Sequence, residues 1–279
     1  MRSLVELAAL LEKDEGMLAL SYVLDTTPGA LRARRDLFLT EAQEARYLEI
    51  VRRRRAGEPL QYAIGEWEFY GHVFRVDERA LIPRPETEIL VETVLSRDLG
   101  GKHIADIGTG TGAIALTLSL EAHPAPAMIY ATDLSAAALS LARENGAQLE
   151  ADAVVQWIEG DGPGALPEPV DVIVSNPPYI DPAEEPSLQP ELSYEPREAL
   201  YSGAPGAGGL AHYASWIGAF REKLRTPGWV FLEIGDRQAE AVSGFFRDAG
   251  YQEITVHKDY AGRDRVVAAQ WMGLGRKHV

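Results

Sequence analysis

Ile104-Ala105-Asp106-Ile107-Gly108-Thr109-Gly110-Thr111-Gly112 runs from a short apolar segment into three glycines at alternate positions, and Ala113-Ile114-Ala115-Leu116 follows. The first four residues predict a strand and the last four a helix. Glycines at 108, 110 and 112 permit a tight strand-to-helix turn and close approach of the backbone to a ligand. Asp106 can meet a cationic amino-acid group or organise the glycine loop, in which Thr109 and Thr111 alternate with the glycines. Taken alone, this turn would also suit a dinucleotide.

Asp133 ends the next apolar run, Met128-Ile129-Tyr130-Ala131-Thr132, where a carboxylate can accept both hydrogen bonds of a ribose diol. Gly160-Asp161-Gly162 follows a third predicted strand, where Asp161 and Gly162 can clamp an adenine edge or simply turn the chain. A methylsulfonium cofactor needs a ribose anchor and amino-acid contacts but no diphosphate cradle. Further out, candidate strands at 102–106, 128–132, 153–158, 170–174, 229–234, 252–257 and 264–271 alternate with helices near 86–97, 112–121, 135–148, 208–225 and 237–248. This pattern predicts an α/β fold with a mostly parallel sheet covered on both faces. Only Lys258 to Arg263 separate the last two strands, so an antiparallel C-terminal pair is expected, unlike the usual dinucleotide fold.

Residues 1–64 read as a small helical domain. Its opening, from Met1, is expected to be a first helix rather than a signal peptide, with Leu4, Leu7 and Leu11 on one face. Thr40 can open a long helix with Ala45, Leu48 and Val51 at three-residue spacing. Phe69 to Phe74 predicts a hairpin turning at Gly71. It leads to Leu81-Ile82-Pro83-Arg84-Pro85-Glu86-Thr87-Glu88, where Pro85 suits a first helical turn, and residues 65–85 form the bridge between domains. The Pro/Gly-rich stretch 181–209 is long enough to be a lid or binding loop.

The formal net charge is −15, with −2 over residues 1–80 and −13 over the rest, which disfavours broad attraction to a phosphate backbone. Arg52 to Arg55 form the one basic cluster and are expected on a solvated helix face. Cysteine is absent, which excludes disulfides and thiolate chemistry and suits a cytoplasmic setting. Five lysines against 22 arginines, with only Asn145 and Asn176 as asparagines, would suit a thermophile. No run of 18 apolar residues occurs, so no membrane association is expected. The six histidines are scattered without metal-ligand spacing, and no metal site is expected.

Asn176-Pro177-Pro178-Tyr179 follows the apolar run Val172-Ile173-Val174-Ser175. An amide and an aromatic ring on a double-proline turn can hold a planar nitrogen-bearing group still. Together with Leu81 to Glu88, the 106–112 loop, Asp133 and Tyr194-Glu195-Pro196-Arg197-Glu198-Ala199-Leu200, this makes the whole chain resemble one branch of the class I S-adenosylmethionine-dependent methyltransferases. That branch is the protein-(glutamine-N5) methyltransferases that modify bacterial peptide-chain release factors. The resemblance implies a helical substrate-recognition domain over 1–64, a hairpin linker over 65–85 and the methyltransferase domain over 86–279. It also implies S-adenosylmethionine as methyl donor, S-adenosylhomocysteine as product, and the glutamine of a Gly-Gly-Gln sequence as acceptor. A release factor is then the partner, with no direct nucleic-acid contact, and a monomer is expected. The rival reading is a DNA or RNA amino-methyltransferase, which shares the tetrapeptide but fits the acidic catalytic domain poorly.

A carboxamide nitrogen is a poor nucleophile because its lone pair is delocalised into the carbonyl. The Asn176 side-chain oxygen can accept one amide N–H and the Pro177 carbonyl the other, aiming the nitrogen at the methyl group. Tyr179 can pack over the flat carboxamide. The resemblance assigns these roles to Asn176, Pro177 and Tyr179, and counts Asn176 among the cofactor contacts with Asp106, Gly108 to Gly112, Asp133, Asp161 and Gly162. Pro178, Pro83, Arg84, Pro85, Glu195 and Arg197 are the remaining substrate-binding candidates, with Glu195 and Arg197 expected to pair and order the long loop. Glu233 ends an apolar strand near the active edge and is read as structural. The sulfonium is itself a leaving group, so in-line displacement needs no metal and no covalent enzyme intermediate.

Overall fold

A computed structural model describes residues 3–34 and 37–273; Met1, Arg2, Arg35, Asp36 and the last residues, 274–279, lie outside the described residues. The N-terminal helices are α1 (Leu4–Ala8), α2 (Lys13–Val23), α3 (Pro28–Arg32), α4 (Glu41–Arg55) and α5 (Leu60–Ile64). Ser3 and Thr40 start α1 and α4 with reciprocal caps, each hydroxyl paired with the side chain and backbone three residues on. Leu4, Leu7, Leu20, Leu31, Tyr47 and Ile50 pack the core of this layer. Two local expectations change. Leu11 lies beyond the end of α1, and α4 buries Tyr47, Ile50 and Val51 rather than a stripe through Ala45, which is exposed.

The hairpin β1 (Glu66–Phe69) and β2 (His72–Arg75) turns through Tyr70 and Gly71, both at positive φ (52° and 76°). That is the paired left-handed geometry matching the twist of a two-residue hairpin. Pro85 sits in the turn ahead of α6 (Thr87–Leu95), not in its first helical turn.

The sheet layer contains β3 (His103–Ile107), α7 (Ala113–Glu121), β4 (Met128–Asp133), α8 (Ala136–Leu149), β5 (Val155–Glu159) and β6 (Val170–Ser175). After the long loop, which carries the short α9 (Arg197–Leu200), come α10 (Ala211–Lys223), β7 (Leu224–Glu233), α11 (Ala239–Asp248), β8 (Gln252–Lys258) and β9 (Asp264–Trp271). The sheet order is β5-β4-β3-β6-β7-β9-β8. β9 slots between β7 and β8 and pairs antiparallel with both. The other neighbouring pairs are parallel. One apolar cluster joins α6, α7 and the hairpin to one sheet face, and a second joins α10 and α11 to the other. The two-sided burial explains why β3 and β6 are buried along nearly their whole length.

The Arg52 to Arg55 expectation also changes. Arg53 pairs with Glu58, Arg54 with Glu15 of α2 and Glu191 of the long loop, and Arg55 donates to the Leu10 carbonyl at 2.7 Å. Arg52, bound to Glu49, and Arg55 are exposed and match the solvated-face reading, whereas Arg53 and Arg54 are partly buried. Arg54 therefore ties the helical layer to the 181–209 segment, and Tyr194 reinforces the contact by donating to the Ala56 carbonyl at 3.0 Å.

Candidate active site

The parallel strands β3, β4, β5 and β6 end on one edge of the sheet, and their following loops converge there. Gly108, Gly110 and Gly112 all have positive φ (76°, 57° and 81°), which is why these three positions of the turn are glycine. At Gly112 a Cβ would also press on Leu116, Trp157 and Ala142 at 3.1–3.2 Å. The Thr132 carbonyl accepts from the Gly108 and Thr109 N–H groups at 2.9 and 2.8 Å, fastening the loop to β4.

Asp106 lies under this loop, fully buried. Its Oδ2 accepts from the Thr109 hydroxyl at 2.6 Å and the Ala115 N–H at 3.2 Å, while Oδ1 has no partner within the chain. It organises the loop and does not line the cleft. Burial pushes its carboxyl up to about 7. The unfolded-state value is near 4, so Asp106 favours folding at acidic pH and loses that contribution as pH rises through about 7. The stability of Asp106→Asn relative to the parent should accordingly increase between pH 5 and pH 8, by at most about 3 kcal/mol. Denaturant titrations at the two pH values check this, and a pH-independent difference would exclude a titrating Asp106.

Asp133 lines the cleft with its carboxylate already oriented. Oδ2 accepts from the Gly110 N–H at 2.8 Å and Oδ1 from the Ser135 N–H at 2.9 Å. Each oxygen keeps a further lone pair for a ligand hydroxyl. Burial raises its pKa. Leu134, 64% exposed, gives the cleft an apolar wall next to Asp133. Asp161 and Gly162 complete that side, with Trp216 packed so tightly on Gly162 that a Cβ would meet the indole nitrogen at 2.6 Å.

The cleft measures about 1040 Å³ counted to its open mouth, and Pro83, Arg84, Asn176 and Pro178 line it as well. Room at Gly108 for close approach and the pre-oriented Asp133 fit a nucleoside cofactor carrying an amino-acid tail.

Asn176 follows β6 directly, and its Nδ2 donates to Thr87 Oγ1 at 3.1 Å. His212, whose pKa burial lowers, binds the Ser202 hydroxyl at 2.7 Å and the Pro178 carbonyl, bracing the tetrapeptide from α10. Pro177 is buried and Tyr179 packs against the core; neither lines the cleft with Asn176. The Tyr179 carbonyl accepts from Gln238 at 2.9 Å, and its hydroxyl lies 3.5 Å from Glu233 Oε1. Gly209 is required beside it, because a Cβ there would sit 1.9 Å from the Tyr179 oxygen.

Of the remaining candidates, Pro85 is exposed outside the cleft. Glu195 and Arg197 do not pair with each other. Arg197 binds Glu185 and stacks on Tyr201, well exposed. Glu195 is buried and accepts from the Ile82 N–H at 3.1 Å and from Arg84, clasping the long loop to the linker beside the cleft. A carboxylate so committed orders the substrate side rather than touching peptide.

Sequence reasoning missed Thr87, Leu134, His212, Trp216 and Asn145. Buried Asn145 exchanges hydrogen bonds with the Arg75 backbone and donates to the Thr111 carbonyl at 2.9 Å, joining hairpin, α8 and glycine loop. An asparagine inside an otherwise amphipathic helix was the one available signal, since buried amides need partners.

A family model described as the methyltransferase small domain matches residues 85–204, and one described as the PrmC N-terminal domain matches residues 7–65. A release factor glutamine methyltransferase of Moorella thermoacetica is 41% identical over 260 residues, covering 91% of this chain and 90% of that protein. Its counterpart in Neisseria gonorrhoeae is 37% identical over 265 residues, covering 94% of each. A methyltransferase structure from Pyrococcus furiosus aligns with a TM-score of 0.55 at 18% identity, over 84% of this chain and 100% of that one, a likeness of fold.

Proposed function

The chain belongs to the release factor glutamine methyltransferase family, and from that premise we propose how its residues hold the two reactants. The enzyme transfers a methyl group from S-adenosylmethionine to the side-chain amide nitrogen of the glutamine in the Gly-Gly-Gln motif of a peptide-chain release factor. The observation that carries the site assignment is Asn176, in the cleft at the end of β6, with Nδ2 engaged by Thr87 and Oδ1 left as an acceptor.

Gly108 to Gly112 receive the amino-acid end of the cofactor, Asp133 its ribose, and Leu134, Asp161 and Gly162 its base. When bound, S-adenosylmethionine supplies an electrophilic methyl on a sulfonium leaving group. Asn176 Oδ1 accepts an N–H of the acceptor amide, so the nitrogen lone pair faces the methyl. The two prolines keep this acceptor in place before substrate arrives. Tyr179 anchors the far end of the turn through Gln238 and Glu233. Glu195 and Arg84 hold the 181–209 segment against the linker, so that only an extended, exposed glutamine reaches the cleft.

Domain limits of 1–64, 65–85 and 86–279 are supported by the separate apolar core of α1 to α5. Among the described residues no helix is long and apolar enough to cross a membrane. An enzyme that modifies a translation factor must meet it in the cytoplasm, where we place this one, and we take it to act as a monomer.

Labelled S-adenosylmethionine offered with release factor, with the same factor lacking the Gly-Gly-Gln glutamine, and with nucleic acid tests the function. Label should enter the first alone; label in nucleic acid would reverse the assignment.

A further inference from the structure

Gly162 carries two constraints. Its φ of 52° lies in the left-handed region, and a Cβ built on it would meet Nε1, Cε2 and Cδ1 of Trp216 at 2.6, 2.8 and 3.3 Å. The indole therefore occupies the space that a side chain at 162 would take, and it turns its pyrrole edge to the 161–162 turn. Trp216 stands on α10 with His212 one turn before it and Phe220 one turn after. The ring centroids lie 4.9 and 6.4 Å away, with planes inclined at 68° and 58°. Phe220 is fully buried and roots this aromatic row in the core, while His212 and Trp216 reach the cleft wall. Neighbours on three sides hold the indole in one orientation before any ligand arrives.

Core packing alone accounts for the burial of this ring, which borders the apolar cluster under α10. It does not account for the edge turned to the cleft. An indole N–H is a donor only and normally finds an acceptor. Among the described residues none accepts from Trp216 Nε1. The adjoining Asp161 is exposed and lines the same cleft, and an ionised carboxylate is an acceptor only. One donor and one acceptor thus stand together at the turn that receives the base. Adenine carries the complementary pair, an exocyclic amine that donates and a neighbouring ring nitrogen that accepts.

We propose that Trp216 is a base-contact residue: its indole walls the adenine subsite, and its Nε1–H donates to a ring nitrogen beside the amine that Asp161 binds. The inference rests on the assignment of Asp161 and Gly162 to the base. Leu134 brings apolar surface from the loop after β4 and Trp216 aromatic surface from α10, so two separate elements wall the base. Glycine at 162 then has a binding reason as well as a backbone one, since any side chain there would push the donor off the turn.

Calorimetric binding of S-adenosylhomocysteine to the full-length enzyme tests this without turnover. Trp216→Phe keeps an aromatic wall and removes the N–H, so the dissociation constant should rise about three- to tenfold. The 1-, 3- and 7-deaza analogues of S-adenosylhomocysteine each replace one ring nitrogen by C–H. One of them should bind the parent about three- to tenfold more weakly than S-adenosylhomocysteine, and that penalty should vanish in Trp216→Phe. The chain has five tryptophans, and one indole N–H signal of the parent should move downfield on saturation with S-adenosylhomocysteine. The same signal should be missing from Trp216→Phe. Parent-like affinity and an unchanged deaza pattern in Trp216→Phe, alongside impaired binding in Asp161→Ala, would overturn this inference alone. Parent-like binding in Asp161→Ala would instead remove the base assignment on which it rests. Should Trp216→Phe not fold, the parent decides: five unmoved indole signals overturn the inference, and one that moves with S-adenosylhomocysteine but not with a deaza analogue upholds it.

Discussion

Asn176→Ala is expected to lower turnover with a release factor by about 100- to 1,000-fold while leaving the dissociation constant for S-adenosylmethionine within about threefold of the parent. The asymmetry follows from where the side chain stands. Asn176 borders the cleft at the end of β6, whereas the cofactor's ribose and amino-acid anchors belong to the loops after β3 and β4. The acceptor amide gains basicity only as its lone pair leaves conjugation, and an oxygen held against its N–H stabilises that change more than it stabilises the ground state. Fixed dipoles of this kind contribute on the order of 3–4 kcal/mol to a transition state. Single-turnover methyl incorporation and calorimetric cofactor titration separate the two quantities. Parent-like turnover would remove Asn176 from the chemistry.

Asp133→Ala should show the reverse pattern. Losing two charge-assisted hydrogen bonds to a ribose, each contributing roughly 1.5 kcal/mol or more, predicts about 100-fold weaker cofactor binding. At saturating cofactor, kcat should change only a few-fold, because Asp133 lies away from the methyl acceptor. The substitution also releases the Gly110 and Ser135 N–H groups that the carboxylate now holds. A thermal melt of the variant distinguishes a loosened loop from a lost ligand contact. Unchanged affinity would reduce Asp133 to a loop cap.

Both residues were legible in the sequence because their signals are local. A glycine at positive φ, a carboxylate closing an apolar strand and an amide before two prolines each state a backbone requirement within a few residues. The same locality misled the reading of α4. Counting only aliphatic residues chose Ala45, Leu48 and Val51, while the helix turns Tyr47 inward and its hydroxyl donates to the Leu7 carbonyl at 2.9 Å. Arg54 looks solvated for the same reason, since its partners Glu15 and Glu191 are far away in the chain.

By itself, the sequence determined the alternation of strands and helices, the glycine turn, the Asp133 and Asn176 positions and the antiparallel ending, all of which follow from short-range periodicity and backbone permissiveness. Only the tertiary structure decided that β9 inserts between β7 and β8 and that Glu195 clasps Arg84 across 111 residues rather than pairing with Arg197. It alone brought Thr87 to Asn176 across 89 residues. Periodicity specifies which face of an element is buried but not which neighbour buries it. The partner of a polar side chain is chosen by packing between elements distant in the chain.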